Sequence, residues 1–159
     1  MRWTAPFLSG LLVVAFSTLA QAQTHGAKTV DDAWVVAAKA GDVNALVALY
    51  APDAVLYMPD AMEARGTTAI RKAYEDMFGG AKVTDARIDS QYHSAGDLSV
   101  GYGTATLTMV PKAGGAPQTM TVRVTAAARN INGKWLYVAD HASVPAAPPP
   151  APESKPATR

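Results

Sequence analysis

The side chains able to move protons or polarise a carbonyl fall in three short stretches of this chain. "DAVLYMPDA" (53–61) ends an apolar run at Met58-Pro59 and places Asp60 just beyond it. A carboxylate at a strand end can shuttle a proton, but proline starts turns, and an acid after it usually caps or faces water. "VADHAS" (138–143) sets Asp140 and His141 side by side. On a strand these point to opposite faces, so only one can reach an interior. Histidine titrates near neutrality and can act as a base, although a single one on a strand is more often a hydrogen-bonded structural residue. "VRVT" (122–125) puts Arg123 and Thr125 on one strand face. A guanidinium there can bind a carboxylate or a carbonyl, and if buried it needs a partner such as Asp140. The catalytic candidates are Asp140, His141 and Asp60.

Other chemistries find no support. The chain has no cysteine, so thiol nucleophiles, thiolate metal sites and disulfides are out. No HExxH, Asp-rich calcium loop, phosphate-binding glycine loop or G-x-S-x-G elbow occurs, and neither a metal nor a cofactor is expected. The "GYG" at 101–103 reads as a bend or close-packing point within a strand. The aromatic set Trp34, Tyr50, Tyr57, Tyr74, Phe78 and Tyr102, with Met58 and Met77, suits either an ordinary core or the lining of an apolar pocket.

The elements that must position these residues follow from periodicity. Val30, Ala33, Trp34, Ala37 and Ala38 recur at helical spacing. "AGD" breaks that helix, and Asp42 caps a second with a buried stripe of Val43, Leu46, Val47 and Tyr50, ended by "APD". Val55 to Met58 is a short strand. A third helix starts at Thr67 or Thr68, buries Ile70, Ala73, Tyr74, Met77 and Phe78, and stops at Gly79-Gly80. Strands then follow over Lys82–His93, Leu98–Val110, Gln118–Ile131 and Trp135–Ser143, joined by "SAGD", "PKAGGAP" and "NGK" turns. Helices first and a meander afterwards mean an α+β fold.

The flanks differ in composition. Residues 1–22 combine Arg2, an apolar run from Leu8 to Leu19 and the small-residue site Ala20-Gln21-Ala22, which reads as a secretory signal peptide cut after Ala22. Its removal brings the formal net charge from +1 to zero. That neutrality argues against a nucleic-acid partner, and no membrane attachment is expected after cleavage. The protein is thus expected in the periplasm or outside the cell. Residues 146–159 form a Pro/Ala-rich tail unable to bury a core, leaving a domain over 27–145.

Three segments, "AGDVNALVALYAPDAVLYMPD", "ARGTTAIRKAYEDMF" and "NGKWLYVADHASVP", resemble in order the SnoaL-like, ketosteroid-isomerase-like branch of the nuclear-transport-factor-2-like superfamily. The resemblance implies a cone-shaped, curved antiparallel sheet wrapped around the N-terminal helices. It also implies where the isomerase's catalytic groups fall. The base falls on Met58, the oxyanion tyrosine on Trp34 and the oxyanion acid on Thr125, so none of these roles survives here. The match of Thr125 turns Arg123 and Thr125 into the cone, and on the last strand it turns Asp140, Leu136 and Val138 inward, with Trp135, Tyr137, His141 and Ser143 outward. A small hydrophobic molecule is then expected against Trp34, Tyr57, Met58, Tyr74, Tyr102, Arg123 and Thr125. The alternative is an enzyme of dehydratase, hydrolase or cyclase type using Asp140, Asp60 or His141 with Arg123. A homodimer through an outer sheet face carrying Met, Val and Leu is also expected.

Overall fold

The computed structural model describes residues 26–146; the expected signal peptide and the tail from residue 147 onward lie outside the described residues. The chain runs through helices α1 (Ala27–Ala40) and α2 (Val43–Val47), strands β1 (Tyr50–Tyr57) and β2 (Ala64–Arg65), helix α3 (Gly66–Gly80), and strands β3 (Ala81–Ala95), β4 (Leu98–Pro111), β5 (Gln118–Ile131) and β6 (Lys134–Ser143). Gly41 ends α1 in the left-handed region at φ 66°, where a side chain would be strained. Asp42 then caps α2 by accepting a 2.9 Å hydrogen bond from the Ala45 N–H.

The six strands form one curved, unclosed sheet in the order β2-β1-β6-β5-β4-β3. The long strands β3 to β6 pair antiparallel, and Asn132-Gly133, both at positive φ, make the two-residue turn between Ile131 and Lys134. The sheet is not wholly antiparallel, as expected above, because β1 runs parallel to β6. Parallel pairing is possible because four strands and a helix intervene between the two.

The second helix is shorter than the stripe from Val43 to Tyr50 suggests. It ends at Val47, and Tyr50 begins β1. Ala51-Pro52-Asp53 therefore lies inside a strand rather than terminating a helix. The β1–β6 ladder is irregular between Tyr50 and Val55, where a proline lacking an N–H does least harm.

The sheet's inner face is built from small and aliphatic residues. On β4 and β5 it presents Gly101, Ala105, Leu107, Val122, Val124 and Ala126, and α1 and α3 pack over it. Leu46, Ile70, Tyr74 and Val83 are fully buried where helices meet sheet. The outer face of the same strands is rich in threonine. Thr106 bonds Thr121 and Thr108 bonds Thr119 across the ladder. Of the expected Met/Val/Leu outer surface only Leu98, Val100 and Val110 are found on β4, because Met109, Met120, Val122 and Val124 lie on the inner side, where they line the cavity.

Candidate functional site

Small residues on the inner face leave a volume that the helices do not fill. The result is a cavity of about 700 Å³ between α1, α3, the β1–β2 loop and the sheet, within the range of small-molecule sites. Its walls are apolar, and all five methionines among the described residues, Met58, Met62, Met77, Met109 and Met120, stand on them. Thioether side chains are flexible and polarizable, so such a wall adapts to ligands of varied outline and favours aromatic ones. At the rim, Met62 is 91% exposed, and Lys72 pairs with Asp76.

Polar groups converge on the cavity floor. Trp34 Nε1 donates to Tyr74 Oη at 2.7 Å, the Tyr50 and Tyr74 hydroxyls lie 2.6 Å apart, and the Tyr50 hydroxyl donates to Asp140 Oδ2 at 2.6 Å. Next to this chain is a second acid. Asp31 on α1 accepts from the Tyr137 hydroxyl at one oxygen and from the Tyr92 hydroxyl, at 2.9 Å, at the other. The rings of Tyr50 and Tyr137 pack with centroids 5.1 Å apart, holding the two clusters side by side. Ser90 Oγ, buried in the wall, has no hydrogen-bond partner among the described residues.

Burial sets the charge states of this floor. It raises the Asp140 carboxyl to about 6; the hydrogen bond from Tyr50 opposes the rise, the charge of Asp31 adds to it, and the His141 backbone N–H opposes it. Asp140 is walled in by protein yet keeps part of its surface on the cavity. Burial also raises Asp31, against the hydrogen bonds from Tyr137 and Tyr92. It pushes the Tyr50, Tyr74 and Tyr137 hydroxyls up, so they stay protonated donors at neutral pH.

Of the residues expected at the site, Trp34, Met58, Tyr74 and Asp140 line the cavity. The others do not. Arg123 and Thr125 are exposed on the outer face of β5, since its inner residues are Val122, Val124 and Ala126; among the described residues Arg123 donates to the Val144 carbonyl alone, at 3.3 Å. Tyr102 pairs with Thr125 on that outer face and is 39% exposed. Tyr57, at the end of β1, turns outward and donates to Glu63 at 2.6 Å. His141 is exposed opposite Thr125, beside the Tyr57 ring. The strand stops before Met58, and Asp60 sits exposed in the following turn at φ 54°, off the cavity wall.

Tyr137 was expected to face outward and is instead 2% exposed in the interior. The β5–β6 register explains it. Ala127 pairs with Ala139 and Ala128 with Tyr137, so Val138 is an extra residue on β6. This bulge breaks the two-residue alternation and puts Tyr137 and Asp140 on the same side. Asp31 and Tyr92 were not foreseen as site residues. Asp31 lies three residues before Trp34 and seven before Ala38, on the same helical face, which is the signal that reveals it.

Comparisons with known proteins fit this architecture. The sequence profile of the SnoaL-like domain matches residues 32–138. A search of curated proteins gave no match. Among solved structures, a nuclear transport factor 2-like superfamily protein from Salmonella enterica serovar Typhimurium is similar at a TM-score of 0.68 and 21% identity, over 80% of this chain and 93% of that one. A ketosteroid isomerase-like protein from Erwinia carotovora atroseptica is similar at 0.67 and 20% identity, over 73% and 91%. A candidate dehydratase of the same superfamily from Streptomyces avermitilis is similar at 0.65 and 16% identity, over 79% and 99%. At these identities the likeness is one of fold.

Proposed function

The chain belongs to the SnoaL-like domain family, and from that membership we propose that it binds a small, largely apolar molecule in its cone, with one polar group of the ligand turned toward Asp140. The observation that carries this reading is the cavity itself: apolar walls, a methionine-rich lining and a single polar floor. Calorimetry with naphthalene-sized probes tests it. Binding tighter than about 1 mM, abolished by filling the cavity with Ala73→Phe, is the expected result. Absence of binding by every probe to a folded protein would overturn it.

A second reading, acid–base turnover of the dehydratase, hydrolase or cyclase kind, is favoured by one observation. Asp140 is a cavity carboxyl raised to about 6, which suits proton exchange near neutral pH. In this reading Asp140 is the proton-transfer group. Asp60, His141 and Arg123 have no part, since they lie off the cavity. Turnover lost in Asp140→Asn with ligand binding retained would establish it.

We also infer export and a homodimer. The leader-like residues 1–22 support the first, and a mature terminus at Gln23 tests it. The broad outer face with Tyr102 and Arg123 exposed supports the second, and sedimentation tests it.

A further inference from the structure

Three hydrogens serve three hydrogen bonds on the cavity floor, and their direction is fixed. Indole nitrogen only donates, so Trp34 gives its hydrogen to Tyr74. Tyr50 gives its single hydrogen to Asp140. Its oxygen is left to accept, and the 2.6 Å contact with Tyr74 takes the hydrogen of Tyr74. Every hydrogen therefore points along the chain toward the carboxylate. This chain leaves no donor for a ligand; what it leaves is an acceptor. Asp140 Oδ2 takes the Tyr50 hydrogen, and among the described residues no side chain donates to Oδ1. Asp31 does not compete, because both its oxygens accept from tyrosines and it is only 5% exposed.

We propose that the cone selects ligands presenting a hydrogen-bond donor, a phenolic or alcoholic hydroxyl or an N–H, to the Asp140 carboxylate, and discriminates against ketones and ethers of the same shape. This rests on the binding reading given above. A ligand that can only accept would meet two facing acceptors and lose its hydration without replacement.

The same count reverses on protonation. One proton added to Asp140 makes four hydrogens for three bonds. The surplus donor emerges at Asp140 itself or, if the chain turns round, at the Tyr74 hydroxyl. A carbonyl ligand then binds with uptake of a proton. The groups facing Asp140 are Tyr50 from β1, Tyr74 from α3, Asp31 from α1 and Tyr137 from its own strand. The tyrosines stay neutral, so charge changes there only at the carboxyls, of which Asp140 is raised to about 6. On β5, Ala126 stands opposite Asp140. The rim cation Lys72 is paired with Asp76, and His141 points to the other face.

Calorimetry with 2-naphthol and 2-acetonaphthone on the folded protein tests the proposal. At about pH 7.5 the naphthol should bind about ten- to a hundredfold more tightly, the worth of a hydrogen bond to a charged group. At about pH 5 the ketone should gain about tenfold or more over its affinity at about pH 7.5, and at about pH 7, where Asp140 is mostly ionised in the free protein, its binding should take up a proton. Asp140→Asn should remove both the discrimination and its pH dependence, because an amide offers donor and acceptor together. Arg123→Ala, on the outer face of the sheet, should leave both unchanged. Equal affinities at about pH 7.5, or discrimination that survives Asp140→Asn, would overturn the donor selection while leaving cavity binding intact. Failure of both probes at both pH values would overturn the binding reading and this inference with it.

Discussion

Tyr137 and Asp140, three residues apart on β6, face the same cavity because Val138 is inserted between them as a bulge. Tyr137 thereby reaches Asp31 on the first helix, and Asp140 reaches Tyr50 on the first strand. One extra residue thus brings two acids and their tyrosine donors to a single floor. Opposite them on β5 stand Ala128 and Ala126, small enough to leave them room.

Replacing Asp140 by asparagine should stabilise the protein at neutral pH. The carboxyl is raised in the folded state to about 6 from an ordinary 3.8. A raised carboxyl imposes no penalty below its unfolded value and loses stability as pH rises through the folded one. A shift of this size corresponds to on the order of 2–3 kcal/mol at pH 7.5. Urea unfolding should therefore show Asp140→Asn ahead at neutral pH, with the gap closing toward about pH 4. A variant less stable than the parent at every pH would contradict it.

Tyr74→Phe should cost about 1–3 kcal/mol, since it leaves the Trp34 N–H without its acceptor and the Tyr50 oxygen without its donor. Phenylalanine keeps the ring packing against Phe78, so the loss reports the hydroxyl alone. A melting temperature unchanged from the parent would show that water replaces it fully.

Arg123→Ala should leave cavity ligands within about twofold of their parent affinity, because the guanidinium lies outside the cone. Its stability effect should stay within about 0.5 kcal/mol, as for most exposed positions. A large loss of binding would place a ligand on the outer face.

Gly103→Ala should destabilise by about 2 kcal/mol or more. A Cβ there would stand 2.1 Å from the Asp89 carbonyl oxygen and 2.7 Å from the Ser90 Cα, forcing β3 and β4 apart. Gly79→Ala is the contrast: its Cβ meets nothing within 4 Å, and alanine should add about 0.5–1 kcal/mol to the helix. Thermal unfolding of the pair should move in opposite directions.

Much of this architecture is legible locally. The strands from Ala81 onward match their sequence bounds within a few residues, because Gly-rich turns punctuate runs of period two. The face of β5 was legible too. Val122 and Val124 alternate with Thr121, Arg123 and Thr125, and that local pattern points the valines inward, whereas counting from a matched position pointed Arg123 inward. The bulge at Val138 leaves no such mark, since Leu136, Tyr137 and Val138 are all apolar and any of them suits a core. Tyr50 was hidden for a related reason: one residue served equally as the end of a helical stripe and the start of a strand.

The side-by-side placement of β1 and β6 has a consequence in time. β1 is bracketed by a two-residue strand on one side and by β6, eighty residues further along the chain, on the other. Until β6 is synthesised, β1 has almost no ladder to join. The β3–β4–β5 meander can form from neighbouring hairpins, but docking of the first strand waits for the last, and loop closure over such a separation is slow. The floor of the cone, which needs Tyr50 beside Asp140, is thus assembled at the end of folding. Pulse-labelled amide exchange should find the β4–β5 ladder protected before the β1–β6 ladder, and simultaneous protection would refute that order.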